Sequence, residues 1–273
     1  MNDAARPLNL DDEVELPLDG LLQTPALRER LLDLDPDLLG TVPPNDFAAV
    51  RQRVTVPCIT VERGPWDPAR VADGAYFGIF VVSGQSTASV QVGPRRHHEL
   101  VGPGDVGQPW VAGDAGASLP TRARWTALTE TRLALLDRRF AIEAAHWPVV
   151  TRALMERLVL RSRRLLFQLA VLSLPHVATR VELLLWHFAD RWGRATRDGV
   201  VLLLPLTHET LSEIVGARRP TVTTALRGLR EQGRVEQCSD GCWVLRGGVP
   251  AELTPLYAQV GLAQHPPAEA EPA

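Results

Sequence analysis

Between Leu206 and Gly247 the chain reads LTHETLSEIVGARRPTVTTALRGLREQGRVEQCSDGCWVLRG, and no other stretch limits its fold as tightly. Thr207 offers the side-chain oxygen of a helix N-cap. Leu211, Ile214 and Val215 share one face of the helix it would start. Gly216 stands where such a helix needs a left-handed terminating residue. A second helix is expected within a few residues. Pro220 suits its first turn, where a missing N–H costs nothing, and Val222, Ala225, Leu226 and Leu229 form its inner face. Two helices joined by a short glycine-containing turn make a helix-turn-helix. Gly233 to Glu236 and Cys242 to Leu245, on either side of Ser239-Asp240-Gly241, then supply a β-hairpin wing.

The outer face of the second helix explains the remaining residues. Thr221, Thr223 and Thr224 are poor helix formers, but outward they offer hydroxyls to phosphates or base edges and methyl groups to thymine. Arg218 and Arg219 lie at the helix N-terminus, the part of a recognition helix that enters the major groove, and one of them can read guanine in bidentate fashion. Arg227, two turns on, is placed for phosphate. The expected partner is double-stranded DNA. No lysine occurs, so all 29 basic residues are arginine, and the net charge of -3 rules out a uniformly basic coat. Acids crowd the start (Asp11, Asp12, Glu13, Glu15, Asp19, Asp33, Asp35, Asp37), while Arg218, Arg219, Arg227, Arg230, Arg234 and Arg246 crowd the end. The DNA-binding charge is therefore local.

A chain of 273 residues is long enough for two domains. Residues 1–46 read as an acidic arm with short helices, closed by TVPPND. Residues 47–138 carry short Val, Ile and Thr runs between Gly, Pro and Asp turns, which signal an all-β sandwich or barrel. From about Arg139 to Leu172 one long helix is expected. Its stripe of Val150, Leu154, Leu158, Arg161, Leu165, Gln168 or Leu169, and Leu172 advances by alternating steps of four and three. That stripe suits either the chain's own β-rich region or the same helix of a second copy. The winged helix-turn-helix is bounded at 174–248, and 249–273 is expected to be a partly disordered tail, rich in Ala, Glu and Pro after Gln264. No leader and no apolar run near membrane length is visible, so a cytoplasmic protein with no membrane partner is expected.

From Val54 to Gly247, and most closely from Leu206 to Val235, the chain resembles the Crp-Fnr family of bacterial transcription regulators. The resemblance implies an α+β protein. Its parts are an N-terminal β-roll (double-stranded β-helix or jelly roll) sensor domain, a long dimerisation helix and a C-terminal winged helix-turn-helix. It also implies a homodimer on a palindromic operator, working with RNA polymerase. In the family the recognition helix opens with Arg-Glu-Thr-Val or a close relative. Here Arg219-Pro220-Thr221-Val222 keeps the guanine-reading arginine, but Pro220 removes the acidic reader and Thr224 occupies a position that is often arginine. Thr207 matches a phosphate contact. Cyclic-nucleotide members hold ribose with the Glu of Gly-Glu-Leu and phosphate with the Arg of Arg-Ser-Ala. The counterparts here are Gly107-Gln108-Pro109 and Thr121-Arg122-Ala123, so Gln108 and Arg122 are the effector-pocket candidates and no cofactor is assigned.

Other chemistries find little support. A lone Cys58 cannot ligate an iron–sulfur cluster, and Cys238 and Cys242, which flank the wing turn, read as small residues packing in a hairpin, with a redox pair as the alternative. His97-His98 reads as a solvated pair on a hairpin connection, with no third ligand at metal spacing. Trp110, Trp125 and Trp147 read as core. No nucleophile elbow, phosphate-binding loop or His-Glu-x-x-His helix occurs, so no enzyme is expected.

Overall fold

The computed structural model describes residues 27–68, 77–92, 95–109, 123–238 and 241–253. The β-rich texture becomes two antiparallel sheets. Strands β1 (Arg28–Arg30), β2 (Thr55–Val61), β4 (Gly78–Ser83), β7 (Val106–Gly107) and β9 (Thr131–Leu136) form one, in the order β1-β2-β9-β4-β7. Strands β3 (Gly64–Trp66), β5 (Ser86–Val92), β6 (Arg95–Val101) and β8 (Ala123–Ala127) form the other, in the order β3-β8-β5-β6. Strand alternation sorts the side chains between two cores. Ile79, Val81, Leu133 and Leu135 join Val61, Val101, Trp125 and Ala127 in one. Their neighbours Phe80, Ala134 and Leu136 join the second, which is roofed by helices.

That roof begins earlier than the sequence suggested. The expected arm boundary at residue 46 is displaced, because β1 pairs with β2 (Arg28 opposite Pro57, Arg30 opposite Thr55). Leu31 and Leu32 of α1 (Leu31–Leu34) and Leu38 of α2 (Pro36–Leu39) are fully buried beside Val50 of α3 (Phe47–Arg53). Leu31, Leu32 and Leu38 are core, and only a partner sheet absent from local sequence could show it. Arg28 also ties this segment to Asp137, at 2.5 Å, and Asp137 accepts from Phe140 N to cap the next helix.

The single long helix expected from Arg139 is two. Helix α4 (Arg138–Ala144) ends before Trp147, and α5 starts at Pro148 and runs to Leu172. Proline lacks the N–H that a continuous helix would use and is tolerated only in the first turn. The first half of the stripe read from the sequence faces inward, whereas Leu165 and Leu169 farther along it are exposed. Val150 and Leu154 are fully buried, and Leu158 packs against the same core. Arg161 is the charged member because it meets Glu99, donating to both carboxylate oxygens at 2.6 and 2.7 Å. An adjacent stripe of α5, made of Met155, Val159, Leu166 and the shared Leu169, lies open, between 52% and 66% exposed.

Helix α6 (Val177–Trp192) carries the C-terminal core. Strands β10 (Gly193–Thr196), β11 (Gly199–Leu202), β12 (Val235–Gln237) and β13 (Trp243–Leu245) form a third sheet in the order β10-β11-β13-β12. Val181, Leu184, Leu185 and Phe188 of α6 pack with Trp243 and Leu245 from this sheet. A charged junction joins this unit to the roll. Asp105, 3% exposed, accepts from Gly102 N and Arg164 Nη1, both at 2.9 Å, and from Arg191 Nη2. Gln168 Nε2 donates to His98 O at 2.8 Å. Among the described residues no helix is long and apolar enough to cross a membrane.

Candidate nucleic-acid interface

Helix α7 (His208–Val215) and helix α8 (Arg219–Glu231) form the expected pair. Thr207 caps α7, its Oγ1 accepting from Thr210 N at 3.1 Å. Gly216 closes the helix at φ 67°, a left-handed conformation that a side chain would strain. Leu211, Ile214 and Val215 are fully buried, and in α8 Val222, Leu226 and Leu229 face the same core. Ala225 is half-buried. Burying these residues leaves the opposite face of α8 to solvent. Arg218, Arg219, Pro220, Thr221, Thr224 and Arg227 are all exposed.

The arginines are held loosely. Arg219 Nε lies 3.8 Å from Glu209 Oε2, with both side chains more than 60% exposed. A pair so open to water is worth little, and the guanidinium is at liberty to turn to a ligand. Thr224 Oγ1 donates to Pro220 O at 3.1 Å, within its own helix. Thr223 departs from expectation. It is half-buried, and its hydroxyl lies 3.0 Å from His208 Nδ1, so it joins the two helices instead of facing outward. Nothing local marks His208 as its partner, since the two are brought together only by the crossing of the helices.

The wing forms as read, with β12 and β13 antiparallel and Glu236 opposite Val244. Arg234 Nε reaches Glu182 Oε1 on α6 at 2.5 Å, fixing the base of the wing to the helical core. Burial raises the Glu182 carboxyl above its ordinary value, with Arg234 opposing that shift. The two cysteines do more than pack. Cys238 and Cys242 are joined by a disulfide across the turn, with Cα atoms 5.1 Å apart.

The His97-His98 pair is not a solvated loop. Both belong to β6; His97 is exposed and His98 is buried against α7, its Nε2 2.9 Å from Glu213 Oε2. Burial, helped by Arg96 and His97, pushes the His98 imidazole down to about 4, so the ring is neutral at pH 7 despite the nearby carboxylate. Burial likewise raises Glu213. Trp125 is core, as expected. Gln108 is exposed and its amide donates to Phe77 O at 2.5 Å, while Arg122 and Trp110 lie outside the described residues. Among the described residues no cluster of three His, Cys, Asp or Glu could hold a metal ion.

Residues 179–246, which hold α7, α8 and the wing, match the family model for a Crp-like helix-turn-helix domain. Over these residues the chain is similar to a Crp-like helix-turn-helix domain. The CRP-like cAMP-activated global transcriptional regulator of Mycobacterium tuberculosis, in two strains, is 31% identical over 136 residues, covering 49% of this chain and 59% of the relative. The match thus spans less than two thirds of those relatives' own length. A cyclic nucleotide-binding domain containing protein from Listeria monocytogenes EGD-e superposes with a TM-score of 0.57 at 19% identity, covering 77% of this chain and 96% of its own. A CooA variant from Carboxydothermus hydrogenoformans superposes at 0.56 and 17% identity, covering 83% and 94%. At such identities the likeness is one of fold, and it covers the two-sheet roll and α5 as well as the helix-turn-helix.

Proposed function

We propose that this protein is a homodimeric, cytoplasmic transcriptional regulator of the Crp-Fnr type. In this reading α8 enters the major groove and a palindromic operator is recognised as two half-sites about 10 bp apart. The observation that carries it is the division of α8 into a buried apolar face and an open face of Arg218, Arg219, Pro220, Thr221, Thr224 and Arg227. Arg219 is the base reader, Arg218 and Arg227 serve phosphate, and the two exposed threonines complete the contact surface. Thr207 approaches phosphate from the start of α7.

The second copy accounts for the open stripe of α5. Met155, Val159, Leu166 and Leu169 recur with the spacing of a two-helix seam, and beside them a groove of about 870 Å³ runs between α4 and α5, lined by Phe140, Ala144 and Pro148. An apolar strip of this extent marks an interface. RNA polymerase is the expected further partner. Any effector belongs to the roll, where Gln108 brings an amide and no carboxylate to a ribose, so no cyclic nucleotide is assigned.

The test is selection of duplexes from a random pool by ligand-free protein, repeated with Arg219→Ala. The reading expects a palindromic motif whose preference relaxes at one base pair per half-site in the variant, at a cost of about 1–3 kcal/mol. Enrichment of no sequence, with or without cell extract, would instead favour a winged helix that serves protein partners.

A further inference from the structure

Within the wing sits a chemistry that DNA reading leaves unused. Strand β12 is an edge strand of three residues, paired with β13 alone. Strand β13 is fixed on both sides, pairing with β11 as well, and Trp243 and Leu245 are fully buried. The disulfide joins the two at the turn, where Cys238 N also donates to Cys242 O at 2.8 Å and Gly241 N to Cys238 O at 3.0 Å. The two residues differ in access, since Cys238 is half-buried and Cys242, next to the fixed strand, is 8% exposed. An attacking thiolate therefore reaches Cys238, and Cys242 is the leaving group.

We propose that the Cys238–Cys242 bridge is a thiol–disulfide exchange site for low-molecular-weight thiols, and that its state sets how tightly the wing holds DNA. This rests on the DNA-binding reading above. A small thiolate attacks Cys238 Sγ, forming a mixed disulfide and breaking the bridge, and Cys242 leaves as a thiolate that takes up a proton. A second small thiolate attacks the outer sulfur of the mixed disulfide and releases Cys238, which is protonated in turn. The bridge and two thiols thus give two cysteine thiols and one small disulfide, with two electrons passing to the protein. A small disulfide such as oxidised glutathione reverses both steps.

The consequence is local because the closed loop is short. Disulfide stabilisation grows with loop length, and a sequence separation of 4 puts this bridge at the low end of that scale. Opening the bridge leaves Trp243 and its core in place but frees the outer end of β12, which must be reordered on DNA. Cys58 does not compete. Burial and the Glu29 carboxylate hold its thiol up at about 12, so it presents almost no thiolate.

The experiment equilibrates the full chain with oxidised or millimolar reduced glutathione. Bridge state is followed by alkylation and intact mass, and duplex affinity by fluorescence anisotropy at two salt concentrations. The bridge is expected to open and close reversibly. The reduced form should bind at least about fivefold more weakly, the factor for reordering one backbone residue. Cys238→Ser, checked by thermal melting for an intact fold, should bind like the reduced form in both buffers. A bridge that survives millimolar reduced glutathione overturns the proposal, as does equal affinity in the two states. Salt-dependent duplex binding that ignores redox state sinks this proposal alone, whereas no salt-dependent binding in either state sinks the regulator reading with it.

Discussion

Truncating Leu166 to alanine tests the assignment of the α5 seam. Leu166 is 66% exposed in the single chain, so most of its side chain awaits a partner. Removing Cγ and both Cδ carbons forfeits about 2.4 kcal/mol at about 0.8 kcal/mol per buried carbon, and about two thirds of that, or about 1.6 kcal/mol, belongs to the seam. The change occurs in both protomers, so the dimer weakens by about 3 kcal/mol, or about 200-fold in its dissociation constant. Sedimentation equilibrium of Leu166→Ala measures this directly. Leu154→Ala is the control. Leu154 is fully buried within its own protomer, so its loss should cost about 2–5 kcal/mol of fold stability and leave association nearly unchanged in the folded protein. If Leu166→Ala dimerises like the parent while Leu154→Ala dissociates, the seam lies on the stripe first read from the sequence and the present assignment is wrong.

Three further outcomes follow from the geometry. Thr207→Ala removes the α7 cap and should lower stability by about 1 kcal/mol in chemical denaturation, with Thr207→Ser restoring most of it. Asp105→Ala leaves Arg191, 7% exposed, without its carboxylate, and should destabilise by about 3–5 kcal/mol, read as a shift in the urea midpoint. In acid His98, which is buried, and His187, which is half-buried, act together. Burial, with arginine neighbours, holds His98 down to about 4 and His187 to about 3, so below pH 6.5 the unfolded chain binds protons that the fold refuses. Stability is therefore lost as pH falls from 6.5 towards 4, by up to about 1.4 kcal/mol per pH unit for each histidine. Asp35, Glu182 and Glu213, raised by burial, offset part of this at the lower end. His187→Phe, in a site already lined by Phe167 and Phe188, should flatten the acid limb between pH 6.5 and 5, and an unchanged limb contradicts the assignment.

The readings that held were those whose cause is local. Thr207, Gly216 and Pro220 act through backbone geometry within a few residues, and the buried faces of α7 and α8 follow from helical periodicity, so the two helices and their core face were legible. Apart from the helix break at Pro148 and the Cys238–Cys242 bridge, which are local, the misreadings depended on a distant partner. Leu31 and Leu38 are core because β1 joins a sheet whose other strands lie beyond residue 54. Thr223 turns inward to meet His208 across a helix crossing, and His98 is buried by α7, more than a hundred residues away. Along α5, two stripes differ by a fraction of a turn. Periodicity found the one that faces the roll because Val150, Leu154 and Leu158 make it the more regular.

The central claim is that the open face of α8 binds DNA, and its most direct test is the salt dependence of duplex affinity for the parent, Arg219→Ala and Arg227→Ala. The account predicts a log–log slope that falls by about 1 for Arg227→Ala on every sequence, with Arg219→Ala losing affinity chiefly on the selected operator. Parent-like slopes and affinities for both variants would contradict it and move the DNA contact, if there is one, off this helix.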